Sequence, residues 1–179
     1  RQSGFLKPSF GNSRLLGASV NAPYFHVISD SADLTAKPRI FSATRYLLQS
    51  EYRKVTKNSS NIIDFSVNND DLRAENGTKT HFFLNSLINL NSSAFDNGKL
   101  DIKLERTSND GYLKLYSLEN ENTIIQDTST LESIIEFKGD KNDFIFKASF
   151  ESYETLGQLN SNRYEFVYPN YSLEKSLEL

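Results

Sequence analysis

Period-two alternation runs through almost the whole chain, and nothing else in the sequence constrains the fold so tightly. In a β-strand successive side chains point to opposite faces, so an alternating run has one apolar and one polar side; a helix, with period 3.6, cannot use such a pattern. The clearest case is Lys99 to Glu105, where Leu100, Ile102 and Leu104 alternate with Lys99, Asp101, Lys103 and Glu105. Ile63, Phe65 and Val67 oppose Asp64, Ser66 and Asn68, and Phe82, Leu84, Ile88 and Leu90 share one side of the run from His81 to Leu90. From Arg14 to Ile28, Leu16, Ala18, Val20, Ala22 and Tyr24 alternate with Gly17, Ser19 and Asn21. Leu34, Ala36 and Ile40 then alternate with Asp33, Thr35, Lys37 and Arg39. Tyr46 to Val55 is weaker, with Gln49, Glu51 and Arg53 on one face; Thr130 to Phe137, Asp143 to Tyr153 and Asn162 to Tyr168 complete about nine strands.

The connections carry Gly, Asn and Asp, which tolerate the backbone of tight reversals. Ser29-Asp30-Ser31, Asn76-Gly77, Asp96-Asn97-Gly98, Asn109-Asp110-Gly111 and Gly139-Asp140-Lys141-Asn142 are such signals. Short links join antiparallel neighbours, so the expected fold is all-β, an antiparallel up-and-down meander. Asn68 to Thr80 is too long for a tight turn, and the tail Leu173 to Leu179 reads as a turn of helix or a further strand.

Such a meander has two settings. In a soluble barrel or sandwich the apolar face points inward; in an outer-membrane barrel it meets lipid while the polar face lines a wet lumen. Apolar residues make up 37% of the chain, which suits strands with one wet face better than a deep apolar core. Lys37, Arg39, Glu51, Arg53, Lys99, Asp101, Lys103, Glu105 and Lys147 stand mid-strand on polar faces. Alternation alone leaves both settings open. Tyr24, Phe25, Tyr46, Tyr52, Phe82, Tyr112, Tyr153, Tyr164 and Tyr168 fall near strand ends, as an interfacial girdle or packed hairpin ends would have them.

Several chemistries find no support. A net charge of −3 with scattered basic residues gives no case for nucleic acid. Without cysteine there is neither a disulfide framework nor a thiolate metal site in these 179 residues. The two histidines, His26 and His81, lack metal-ligand spacing, and a strand or loop position explains them better than catalysis. Asp101 and Glu105 share a face, as the paired carboxylates of a glycosidase do, but Lys99 and Lys103 on the same face favour a self-neutralised wet surface. The sequons at Asn58, Asn76, Asn91 and Asn170 are expected by chance in an Asn- and Ser-rich chain. No apolar run reaches the length of about 18 residues that a membrane-spanning helix needs. No signal peptide is visible and the first residue is Arg1, so the chain is expected to be an internal segment. No metal, no cofactor and no enzymatic activity is expected.

Two prolines break the pattern. Pro23 and Pro38 interrupt the first two expected strands. Proline gives no N–H to a ladder and belongs at edges, strand starts or bulges.

The residues around them carry a family resemblance. Ser3-Gly4-Phe5-Leu6-Lys7-Pro8, Pro23-Tyr24-Phe25, Asp33-Leu34-Thr35-Ala36-Lys37-Pro38 and Glu51-Tyr52-Arg53 occur in one order at close spacing. This resembles the start of the barrel domain of the LptD family of LPS-assembly outer-membrane proteins. Arg106-Thr107-Ser108-Asn109-Asp110-Gly111-Tyr112-Leu113 resembles a later signature and Tyr168-Pro169 a proline that ends a following segment. Tyr24-Phe25-His26 and Lys54 depart from the family's usual aromatics.

The resemblance implies that residues 1–179 are the N-terminal portion of an LptD-type β-barrel domain, its first eight or nine strands, with no separate second domain. It implies a large transmembrane barrel in the outer membrane of a Gram-negative bacterium, moving lipopolysaccharide to the cell surface. Pro23 and Pro38 would weaken one side of a lateral gate where the first strand meets the last. Lys37 and Arg39, flanking Pro38, are possible contacts for lipopolysaccharide phosphates. The implied partners are lipopolysaccharide, an LptE-type plug lipoprotein, the periplasmic LPS-transport bridge and outer-membrane lipid. The alternative is a soluble periplasmic β-sheet module that binds lipid or glycan; a carbohydrate-active barrel is a distant third.

Overall fold

The computed structural model describes residues 1–42, 45–69, 78–118, 124–125 and 127–175. The Asn76 sequon, most of the polar link between residues 68 and 80 and the last four residues of the tail lie outside the described residues. The strands are β1 (Gly4–Phe5), β2 (Ser9–Ser13), β3 (Gly17–Asn21), β4 (Tyr24–Ser29), β5 (Ala32–Phe41), β6 (Arg45–Val55), β7 (Ser59–Asn69) and β8 (Lys79–Leu90). They continue with β9 (Asn97–Thr107), β10 (Thr130–Lys141), β11 (Phe144–Thr155) and β12 (Tyr164–Lys175). Two short helices, α1 (Tyr112–Tyr116) and α2 (Asn160–Arg163), sit in the β9–β10 and β11–β12 connections.

The strands form one open antiparallel sheet in which β4 to β12 follow chain order, with β1 beside β4, β3 beside β5 and β2 beside β3. The up-and-down meander is as the alternation requires. The nine expected runs become twelve strands for two local reasons. The first run is split at Ala22-Pro23 into β3 and β4, and residues 4–13, which show no alternation, add β1 and β2 along the outer edge.

The register assigns every side chain to a face. Asp33, Arg53, Ile62, Asn85, Lys103 and Ile134 face one another across five neighbouring strand pairs, and Thr35, Glu51, Asp64, Phe83 and Glu105 across four of them. The opposite face carries Leu34, Tyr52, Ile63, Leu84 and Leu104, and beside them Leu48, Phe65, Val67 and Phe82. Burial is inverted relative to a soluble sheet. On the polar face Asp64 is 0%, Gln49 1%, Asn68 1% and His81 2% exposed, whereas Phe65 and Phe82 on the apolar face are 39% and 43% exposed. A soluble sandwich hides its apolar face; this fold hides its polar one.

What covers the polar face is the β9–β10 connection. Tyr112, Leu113 and Tyr116 of α1, with Leu118, Ile124 and Ile125, pack against Leu16, Phe41, Leu47 and Phe83 and form the apolar core. The core therefore lies inside the sheet, at the end where β3 begins and β5 ends. Isolated, a five-residue helix has no stability. Here Tyr112 and Leu113 are fully buried, so packing supplies what propensity cannot.

A second tie holds this end. The Arg163 guanidinium donates two parallel bonds to Asp110, at 2.6 and 2.9 Å, and also reaches Glu154 at 2.7 Å. The Gly157 amide donates to Asp110 as well. The connections on either side of β10 and β11 are thus clamped together. Hydrogen bonding from Arg163 holds the Asp110 carboxyl below its ordinary value of 3.8.

Candidate functional site

Pro23 and Pro38 come together in the fold. The registers β3 with β5 and β4 with β5 are continuous, since Asn21 faces Arg39 and Tyr24 faces Ala36. Ala22 therefore stands opposite Pro38. In an antiparallel ladder such a pair exchanges two bonds, each residue donating and accepting once. One of them exists, from the Ala22 amide to the Pro38 carbonyl at 3.2 Å. The return bond cannot form, because Pro38 has no N–H. That loss falls at the break between β3 and β4.

Each extended residue directs its N–H and C=O to the same side, so the direction of each defect can be read. The Pro38 carbonyl points toward β3/β4; its missing donor weakens that ladder alone and leaves the pairing of Pro38 with Leu48 on β6 intact. The Pro23 carbonyl accepts from the Leu6 amide at 2.8 Å, so the donor Pro23 lacks would have pointed the other way, toward β1/β2. The two prolines thus remove one donor on each side of a single broken strand, at one level.

Lys37 and Arg39 lie on the polar face with Thr35, Gln49 and Glu51. The Lys37 ammonium is 3.9 Å from Glu51, and Arg39 donates to the Tyr116 carbonyl at 2.8 Å while its guanidinium sits over the Phe41 ring. Arg39 therefore holds the C-terminal end of α1. The alternation placed both residues on the polar face but could not reveal these partners, 14 and 77 positions away.

Sequence reasoning missed the buried relay beneath α1. His81 Nε2 lies 2.6 Å from Asp64 Oδ1, and His81 Nδ1 lies 2.6 Å from Ser66 Oγ. Ser66 Oγ is 2.7 Å from the Tyr112 hydroxyl, Gln49 donates to Asp64, and Asn68 donates to the Tyr116 hydroxyl. One assignment satisfies the chain: Tyr112 donates to Ser66, Ser66 to His81 and His81 to Asp64. Burial pushes the Tyr112 phenol up, so it stays protonated and able to donate. The order of groups is that of a nucleophile relay, but Ser66 is 2% exposed and capped by Tyr112, so no substrate carbonyl can approach it. Its role here is to fix α1 on the polar face. The available signal was Asp64, Ser66 and His81 on polar faces of adjacent strands; only the register shows that they meet.

Lys103 lies between Glu105 and Glu132, at 3.1 and 2.6 Å, which is the self-neutralised face expected there. Among the described residues no group of three His, Cys, Asp or Glu side chains is arranged to hold a metal ion.

Comparison with known proteins adds what geometry alone cannot. No protein-family profile matches the chain. It is 30% identical over 105 residues to the LPS-assembly protein LptD of Cupriavidus pinatubonensis, covering 54% of this chain and 13% of that protein. The corresponding protein of Pseudomonas fluorescens is 24% identical over 169 residues, which covers 92% of this chain and 17% of the relative. The chain is related in sequence to LptD. A shorter match, 40% over 63 residues, links it to LptD of Ralstonia nicotianae, with 35% of this chain and 8% of that protein covered. The chain thus spans less than a fifth of each of these LptD relatives. The open sheet with an apolar outer face is what a segment of a large barrel requires, and the LptD relationship and the fold agree.

Proposed function

We propose that this chain is part of an outer-membrane β-barrel that passes lipopolysaccharide to the cell surface, and that β3/β4 and β5 form one side of a lateral gate. The observation that carries the gate is the half-made pair at Ala22 and Pro38, with Pro23 removing a second donor on the opposite side of the same strand. Each backbone hydrogen bond not made lowers the cost of parting by roughly 0.5–1.5 kcal/mol. The weakness lies in mid-strand, where it loosens β3/β4 without disturbing β5 against β6. Similarity to LptD supports the substrate, and the buried polar face supports an aqueous, lumen-facing interior.

Lys37 and Arg39, level with Pro38 on that interior face, are suited to lipopolysaccharide phosphates entering beside the gate. An LptE-type plug lipoprotein and the periplasmic bridge are the expected partners on the same reading.

The test is a disulfide between β3/β4 and the strand that closes the barrel in the full-length protein. Under oxidising conditions lipopolysaccharide should stop reaching the surface and accumulate behind it, with recovery on reduction. Unimpaired delivery with the cross-link complete would refute the gate. Charge reversal at both Lys37 and Arg39 should lower delivery; unchanged delivery would remove them from the path.

A further inference from the structure

The outer edge of β3/β4 is not free. Its outward-pointing backbone positions are occupied by residues 3–13 of the same chain. Ser13 faces Gly17, Gly11 faces Ser19, Ser9 faces Asn21 and Gly4 faces Phe25. The Leu6 amide donates to Pro23, and the Val27 amide donates to Ser3 Oγ at 2.8 Å. Residues 17, 19, 21, 23, 25 and 27 are thereby all engaged, and no other strand can pair along that edge while residues 3–13 remain on it.

The segment is nonetheless poorly held. β1 contributes two paired positions and β2 five, against ten for β7 with β8. Between them the register slips: three residues, Leu6, Lys7 and Pro8, stand opposite only Ala22 and Pro23. The slip falls at Lys7 and Pro8, beside Pro23, which cannot donate toward it. Burial adds little on the interior face, where Ser9 and Gly11 are exposed although Gln49 and Asp64 further along that face are buried. Few bonds, a bulge and exposed side chains place a segment at the low end of local stability.

An unpaired strand edge is a template for wrong pairing, and a gate that parts exposes one. We propose that residues 3–13 are an edge latch. They cap β3/β4 while the seam is open and must detach before the strand that closes the barrel can pair with the same edge. The inference rests on the gate reading above, because without parting there is no edge to protect. The register slip, opposite a Pro23 that offers the latch no donor, makes it removable.

The test uses the full-length protein carrying Phe10→Cys and Val20→Cys. These residues face each other in β2 and β3. Val20 directs its backbone toward β5, so Phe10 and Val20 form a non-hydrogen-bonded pair, with Cα atoms about 4.5 Å apart and within disulfide reach. Residues 1–179 contain no cysteine, and any cysteine elsewhere in the full-length protein is first replaced by serine. With the disulfide formed, the barrel cannot close on β3/β4, and the outer membrane should lose its resistance to large hydrophilic antibiotics until a reductant is added. In the reduced protein, backbone amides of residues 4–13 should exchange about tenfold or more faster than those of β7 and β8, and the disulfide should abolish the difference. Complete cross-linking with unchanged permeability overturns the latch, as does exchange of residues 4–13 in step with β7. The gate fails separately: its own cross-link, to the closing strand, would then leave delivery running.

Discussion

Replacing Pro38 with alanine returns the one donor that the β3/β4–β5 ladder lacks. The Ala22 carbonyl is in register to accept it, because the Ala22 amide already donates to residue 38 at 3.2 Å. A net backbone bond contributes about 0.5–1.5 kcal/mol, so local parting of β3/β4 from β5 should become rarer by roughly 2- to 12-fold. An opposing effect acts elsewhere. Alanine restores freedom to the unfolded chain that proline denies it, costing about 0.4–1 kcal/mol of global stability. The two nearly cancel in thermal unfolding but not in local opening, which gives the substitution a distinctive signature. Hydrogen exchange in detergent should slow at Val20, Ala22 and Tyr24, which point toward β5, while Leu47 and Gln49 on β6 stay unchanged. Melting should move little. Unaltered exchange at Ala22, or equal slowing on β6, would refute the assignment of the defect to this one ladder.

Tyr112→Ala removes the most buried ring and leaves Ser66 without its hydroxyl partner, so a loss of about 3–5 kcal/mol is expected, read as early exchange across α1 and a lowered unfolding midpoint. Gly139→Ala places a Cβ 2.6 Å from the Phe95 ring, which must swing away; a cost of about 1–3 kcal/mol should appear in denaturant titration. Phe65→Arg on the apolar face should impair insertion into lipid vesicles by up to about 2–4 kcal/mol, and normal insertion would argue against a lipid-facing position. Asp110 titrates below its ordinary value in the folded state, so its contribution is complete above that value and is lost as pH falls through the lowered one. Exchange in the α2 connection should therefore accelerate only in acid below about pH 4, and Asp110→Asn should remove that dependence.

Much of the fold was written in local pattern. Alternation from Lys99 to Glu105 requires a strand with two unlike faces whatever surrounds it, and nine runs with short links permit little besides an antiparallel meander. Pro23 and Pro38 likewise announced a defect from the covalent structure of proline alone. Residues 4–13 were not legible as strands. Ser9 to Ser13 has no period, and its extended form comes from pairing with β3 rather than from any preference of its own.

The sequence by itself determined which residues share a face, because side-chain direction in a strand is fixed by backbone geometry. Only the tertiary structure decided which face the fold buries, since that depends on where α1 packs, and α1 is held there by its buried core contacts and by Tyr112 and Tyr116 reaching Ser66 and Asn68. The same holds for the prolines. Each residue lacks an N–H in any fold, but the side on which the donor is missed follows from register. Register is a long-range property: it set Ala22 opposite Pro38 and turned two separate interruptions into one weak strand.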